Sequence, residues 1–141
     1  MVKNKAIVIL CLFTFFSCET KKEYKIDKTI LGSFGAKHRD GYLDRIKLHK
    51  EKIAIDSTHV SDYVSITESN IIMFAFGFIS REQTIPEAKA FQEKAYALDS
   101  LNSRVQEMAG ILHFMDSEWE ASEKAFKKSL ELNPENLQAR H

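Results

Sequence analysis

The sequence predicts an all-α fold. Apolar residues recur every three or four positions from Tyr42 almost to the end of the chain, which is the spacing of one buried helix face. Only 2 prolines and 5 glycines occur in 141 residues, which argues against a turn-rich β fold. With 44% hydrophobic residues, the chain can form one modest core.

Composition also excludes several functional classes. The 20 basic and 20 acidic side chains give no formal net charge, so we expect no nucleic-acid partner. Two cysteines cannot form a disulfide scaffold. The sequence contains no glycine-rich phosphate loop, no legible nucleophile–histidine arrangement and no metal-binding spacing among its five histidines. We therefore expect a protein that is not an enzyme and that binds no cofactor and no metal.

The first 17 residues have the character of a secretory signal. Lys3 and Lys5 precede an apolar run over residues 6–16, in which Thr14 is the only polar residue. At 11 residues the run is too short to cross a bilayer, which needs about 20. We assign residues 1–17 to a signal peptide and exclude them from the fold.

The end of this segment, Phe15-Phe16-Ser17-Cys18, resembles the lipobox of bacterial lipoproteins. The resemblance implies cleavage before Cys18 and attachment of a diacylglycerol to its sulfur. It places the protein in the bacterial cell envelope, anchored in a membrane and facing the periplasm or the exterior. The alternatives are an ordinary signal peptide with a chance cysteine and an uncleaved membrane helix.

Residues 18–41 are predicted to be a flexible tether. Residues 19–29 are polar and densely charged, and Gly32, Gly35 and Gly41 interrupt the stretch that follows.

Periodic segments then predict five helices. They cover residues 42–55, 59–73, 85–98, 104–114 and 118–132.

Helix starts are predicted from three capping boxes, in which a hydroxyl residue is followed three positions later by Glu or Gln. The boxes are Thr84-x-x-Glu87, Ser103-x-x-Gln106 and Ser117-x-x-Glu120. Pro86 would then fall in a first turn, where its missing N–H costs nothing.

Between the second and third helices, Phe74, Phe76, Phe78 and Ile79 form an apolar cluster. We interpret it as a loop folded into the core, with an exposed binding surface as the alternative.

A period of 34 residues relates the last two helix pairs. It aligns Ala88 with Ser122, Ala95 with Ser129 and Leu98 with Leu132. Small residues seven positions apart allow two helices to cross closely, and serine preserves the size of alanine. The class of residue repeats more clearly than its identity.

These positions resemble the tetratricopeptide repeat family over residues 58–141. In residues 103–136, Gly110, Trp119, Phe126 and Pro134 match its glycine, two aromatic positions and terminal proline, while Ser122 and Ser129 replace alanines. An earlier unit, residues 60–102, matches with Tyr63, Ala88 and Ala95. Residues 42–57 are a candidate degenerate repeat helix. The resemblance implies antiparallel helix pairs stacked as a short solenoid, with Trp119 buried between helices.

The family binds peptides or partner helices on the surface of its first helices. Matched by position, the candidate groove residues here are Ser61, Val64, Glu68, Arg104, Glu107 and Ile111. Their mixed charges indicate no ligand class, so the expected partner is another protein or peptide.

The end of the chain resembles the start of a further unit, without an evident capping helix. Uncovered apolar residues after Ser122, including Ala125, Leu130 and Leu132, would then fray or pair in a homodimer. We expect a membrane-anchored protein that mediates protein–protein interaction. The alternatives are a truncated sensory or regulatory repeat region of a longer signalling protein, and a carbohydrate-capture lipoprotein.

Overall fold

A computed structural model describes residues 28–136 and residue 139. The described residues form five α-helices and no strand, so the all-α prediction is confirmed. The predicted signal peptide, Cys18 and the first part of the predicted tether lie outside the described residues. The helices are α1 (Lys28–Ile55), α2 (Val60–Ala75), α3 (Arg81–Leu98), α4 (Ser103–Met115) and α5 (Trp119–Leu132).

The helices pack as neighbours in the order of the chain. α2 packs on α3 and α4 packs on α5, while α1 covers α2 and the first pair contacts the second through α3 and α4. A core cluster that includes Tyr63, Ile85 and Met108 joins α2, α3 and α4. A smaller cluster of Ile46, Ile66 and Met73 attaches α1 to α2. The result is a row of antiparallel helix pairs, as predicted.

Small residues lie at the predicted helix crossings. Ala88, Ala95, Ser122 and Ser129 are all buried. The hydroxyl of Ser122 donates to the carbonyl of Gly110 over 2.9 Å, and that of Ser129 donates to the carbonyl of Ser103 over 2.8 Å. The two serines are small enough to keep α4 and α5 close, and they add two hydrogen bonds between these helices.

The prediction of a tether through residue 41 is wrong for residues 28–41, which belong to α1. The three glycines disfavour a helix locally, because each costs about 1 kcal/mol relative to alanine in a helix. Tertiary contact offsets part of that cost. A Cβ built on Gly35 would lie 3.7 Å from Cε1 of Phe78, so this part of α1 runs beside the turn that follows α2.

The three capping boxes are also misplaced. α3 begins at Arg81 after Ser80, so Thr84 lies inside the helix, where its hydroxyl donates to the Ser80 carbonyl over 3.0 Å. Pro86 lies in the helix interior instead of its first turn. α4 is capped by Asn102, whose side-chain oxygen accepts hydrogen bonds from the backbone N–H groups of Arg104 and Val105.

At α5, Ser117 adopts a φ of 63° and Glu118 is the N-cap residue, without a side-chain capping bond.

The first helix pair has more residues than the second, and most of the excess lengthens the helices. α2 and α3 have 16 and 18 residues, whereas α4 and α5 have 13 and 14. Only residues 76–80 connect α2 to α3, so the loop between these helices is short.

The expected burial of Trp119 is wrong. Its side chain is 60% exposed and contacts the exposed Phe114 edge-on, with ring centroids 5.3 Å apart. Trp119 is the first residue of α5, and the space beneath that helix is filled by Phe126, which packs against Gly110.

We therefore expect Trp119→Ala to lower the free energy of unfolding by only about 1 kcal/mol, the value of one aromatic pair at a surface. Urea unfolding followed by circular dichroism measures this change. Phe114→Ala removes the same ring pair from the other side and serves as the matched variant. A loss as large as that of a buried aromatic would contradict the exposed position of Trp119.

The chain turns back after α5. The side chain of Asn136 is buried and donates to the Ser129 hydroxyl over 2.9 Å, and Ala139 is also buried. Of the apolar residues expected to be uncovered, Ala125 is buried and Leu130 and Leu132 are half-buried. Within the part of the chain that the structure describes, no helix is both long enough and apolar enough to cross a membrane.

Candidate protein-interaction surface

Side chains of α2 and α4 that were predicted to line a peptide groove occupy three different environments. Ser61 is exposed, Val64 is buried in the core, and Ile111 is half-buried against it. Glu68, Arg104 and Glu107 lie together and bind one another. The structure therefore brings the three charged residues into one cluster and separates the other three from it.

Arg104 is the centre of this cluster. Its Nη2 donates to Oε1 of Glu68 over 2.7 Å, and its Nη1 donates to both carboxylate oxygens of Glu107 over 3.0 Å. Arg45 of α1 donates to the second oxygen of Glu68 over 3.0 Å, and Asn136 donates to Glu107 over 2.8 Å. We name these five residues the polar network.

The charges in the polar network satisfy each other. Burial alone would lower the pKa of Arg104, but the hydrogen bond to Glu68 and the negative charges of Glu107 and Glu68 raise it above its ordinary value. Glu107 is only 1% exposed. Both carboxylates therefore already accept bonds from Arg104 within the fold, and this face binds its own side chains.

A larger opening lies between α3 and α5, with α4 at its base. This α3–α5 groove has a volume of about 1240 Å³ and takes lining residues from all three helices and from the turns at both ends. Its base is apolar, and Tyr96 and Leu101, both exposed, stand at its side and end. The apolar residues at its base are Ala109, Leu112, Ala121 and Ala125.

Charged side chains of both signs form the rim of the α3–α5 groove. On α5, Lys127 pairs with Glu123 over 2.6 Å and Lys128 pairs with Glu131 over 3.0 Å. The hydrogen bond from Lys127 lowers the pKa of Glu123. An apolar base between charged rims suits an amphipathic ligand, because the ligand can bury one face and keep the other in water.

The sequence analysis missed this groove. The family resemblance indicated binding residues on α2 and α4, whereas Lys89, Glu93 and Tyr96 lie on α3 at spacings of four and three. These residues are off the face that carries Ala88 and Ala95. An exposed tyrosine in a charged stripe was the available signal. The spacing alone could not show that α3 and α5 stand apart across α4.

Asp116 closes one end of the groove. Its carboxylate accepts from Lys89 and from Arg81, whose Nη2 lies 2.6 Å from Oδ1. The hydrogen bond from Lys89, helped by the charges of Lys89 and Arg81, lowers the pKa of Asp116 against the opposing effect of burial. These contacts hold the start of α3 to the end of α4.

We expect Asp116→Asn to reduce the dependence of stability on pH. A carboxylate whose pKa is lower in the folded state stabilises the fold above its unfolded pKa of about 3.9, and this contribution is lost as the pH falls through the folded value. Urea midpoints at pH 6 and at pH 3 measure the effect. Lys89→Met removes the main cause of the shift and should flatten the profile in the same direction. Identical pH profiles for wild type and both variants would contradict the assignment.

The described residues contain no group of three histidine, cysteine, aspartate or glutamate side chains that could hold a metal ion. Nδ1 of His113 lies 2.5 Å from Oε2 of Glu118, and Nδ1 of His49 lies 2.5 Å from Oδ1 of Asp62. Both pairs link neighbouring helices or turns, which is a structural use of histidine.

The fold and this surface define an all-α protein of stacked antiparallel helix pairs with an open groove. Comparisons with protein-family models and with curated proteins find no match for the chain.

Proposed function

We propose that this protein is a membrane-anchored, non-catalytic member of the tetratricopeptide repeat class that binds another protein in the bacterial cell envelope. The observation that carries the proposal is the α3–α5 groove, about 1240 Å³ in volume, with its apolar base and charged rims. Buried small residues at the helix crossings, among them Ala88, Ala95 and Ser129, support the assignment to the repeat class.

The groove is suited to an amphipathic helix. Such a ligand would bury its apolar face on Ala109 and Leu112 of α4 and on Ala121 and Ala125 of α5. Charged residues along the ligand would meet the mixed charges of the rims, which favour register and specificity more than affinity. In the polar network, by contrast, the charged side chains of α1, α2 and α4 already pair with one another.

Crosslinking in cells tests the binding site. A photoreactive amino acid replaces Tyr96, which is exposed in the groove, and a matched control replaces Leu48, which is equally exposed on α1. We expect discrete crosslinked products from position 96 that are absent at position 48. Equal patterns at both positions, or no product at position 96, would contradict a partner in the groove.

The anchoring part of the proposal depends on Cys18, which follows the apolar run as a lipobox cysteine would. We expect the wild-type protein to incorporate labelled palmitate and Cys18→Ala to lose the label. Cys11→Ala is the matched control, because Cys11 lies inside the segment that is removed, and it should keep the label. Label that persists in Cys18→Ala would contradict a lipid at this residue.

A further inference from the structure

We propose that one end of the helix row faces the membrane and places the rings of Phe76, Phe114 and Trp119 in the lipid interface. This aromatic end comprises the turn at residues 76–80 and the turn at residues 116–118, with the helix ends beside them. The inference rests on the proposed function, because it takes the membrane to be the one that holds Cys18. The occupant to which it commits is a lipid surface.

The aromatic end exposes three large rings. Phe76 is 71% exposed, Phe114 57% and Trp119 60%. Phe114 and Trp119 contact each other edge-on, and Phe76 stacks on Phe78 with ring centroids 5.9 Å apart. Phe78 is half-buried against the smaller core cluster, which contains Ile46. The exposed ring of Phe76 therefore packs on a side chain that the core holds in place.

The two turns lie at the same end of the molecule. α2 and α4 both finish there, and α3 and α5 both begin there. Arg81, the first residue of α3, donates to the carbonyl of Met115 over 3.2 Å and to Asp116 over 2.6 Å. These bonds hold the two turns beside each other, so the exposed rings lie at one end of the molecule.

The path of the chain identifies what covers this surface. α1 runs antiparallel to α2 and reaches the aromatic end where Gly35 lies beside Phe78. From there α1 continues to Lys28, which carries it about 10 Å further at 1.5 Å per residue. Cys18 lies ten residues before Lys28 and can be no more than about 36 Å from it. The chain therefore leaves the described helices toward Cys18 from the end of the molecule that exposes the rings.

The charges of the aromatic end fit a lipid interface better than an ionic partner. Arg81 pairs with Asp116, so the charges of these two groups beside the rings neutralise each other, and Nδ1 of His113 lies 2.5 Å from Oε2 of Glu118. Exposed Glu82 would remain in water, because the hydrogen bond to its own backbone N–H and that from Ser80 lower its pKa and keep it charged. We infer a shallow contact made by rings, since aromatic side chains favour the level of the lipid headgroups.

Trp119 is the only tryptophan, so its fluorescence reports on this surface directly. The full-length lipidated protein is reconstituted in phosphatidylethanolamine–phosphatidylglycerol vesicles, with and without lipids that carry a quencher near the headgroup. We expect the emission of Trp119 to be blue-shifted and to be quenched by the lipid-borne quencher. We also expect iodide to quench Trp119 at least about twofold less on vesicles than in buffer without vesicles or detergent. Contact through rings should persist at high salt.

Two variants separate this surface from a general effect of anchoring. The double variant Phe76→Ser, Phe114→Ser should lower the lipid-borne quenching of Trp119 by about twofold or more, because the remaining ring binds the interface less well. Ile55→Ser is the matched control, since Ile55 is 89% exposed at the last residue of α1, at the opposite end. It should leave the quenching unchanged, and circular dichroism confirms that both variants are folded.

Palmitate label at Cys18 and lipid-borne quenching of Trp119 are scored separately. A labelled protein whose Trp119 remains open to iodide and is not quenched by lipid overturns the inference and leaves the anchoring intact. A blue shift that depends on protein concentration and not on vesicles assigns the rings to a second copy, which also overturns it. Loss of the label overturns the anchoring proposal and the inference together.

Discussion

Replacement of Glu107 with alanine is expected to lower the free energy of unfolding by about 3 kcal/mol. The Glu107 carboxylate is 1% exposed and accepts bonds from Arg104 and Asn136. Alanine would leave the Asn136 amide without this acceptor and Arg104 with only Glu68. Arg104 is reached by solvent, which keeps the loss below that of a fully buried ion pair.

Chemical unfolding of wild type and Glu107→Ala, followed by circular dichroism, measures this loss. Glu131→Ala is the matched control, because Glu131 forms an ion pair with Lys128 at the same sequence spacing but on the exposed surface of α5. We expect that variant to lose less than about 1 kcal/mol. Equal losses from Glu107→Ala and Glu131→Ala would show that the polar network does not stabilise the fold.

Gly110→Ala is expected to lower the free energy of unfolding by about 1–2 kcal/mol, although alanine is the better helix former. A Cβ at this position would lie 2.8 Å from Cδ1 and from Cε1 of Phe126. Real Cβ atoms do not approach a ring so closely, so α5 or its ring must move away from α4. Overpacking therefore outweighs the gain of about 1 kcal/mol in helix propensity.

Gly41→Ala provides the control for Gly110→Ala. Gly41 also lies within a helix, but nothing lies within 4 Å of the Cβ that alanine would add. We expect it to stabilise the protein by up to about 1 kcal/mol. Adding Phe126→Leu to Gly110→Ala should cost less than the two single changes together, because the smaller side chain relieves the clash. Strict additivity would contradict contact between the two positions.

The sequence predicted α2–α5 well because each helix has one apolar or small face that meets a neighbour. The buried positions Ala88, Ala95, Ser122 and Ser129 follow from residue size and period alone. The first half of α1 was missed because its glycines disfavour a helix locally, while the contact of Gly35 with Phe78 lies 43 residues away along the chain.

The helix starts were less predictable, since several hydroxyl and amide residues near each start could serve as the cap. Ser80 and Asn102 took that position, although Thr84 and Ser103 matched the box pattern. Trp119 was placed in the core by its match to a repeat aromatic, but at the first residue of α5 its side chain lies beside Phe114 at the surface.

The candidate binding surface was the hardest part to predict. Glu107 reads as a surface acid from its local sequence, and its burial depends on Asn136, which lies 29 residues later and is brought back by the turn after α5. The α3–α5 groove depends on the separation of two helices across a third. No residue pattern within either helix encodes that separation.

The polar network has a consequence for cooperativity. In a solenoid in which each unit contacts only its neighbours, unfolding can begin at one end and stop at an interface. Here Arg45 of α1 shares Glu68 with Arg104 of α4, and Asn136 joins α4 to the segment after α5, so both ends of the row are thermodynamically coupled to its middle. Separation of either end would leave Glu68 or Glu107 short of a partner. The far-ultraviolet signal of all the helices and the fluorescence of Trp119 should therefore report one common unfolding transition.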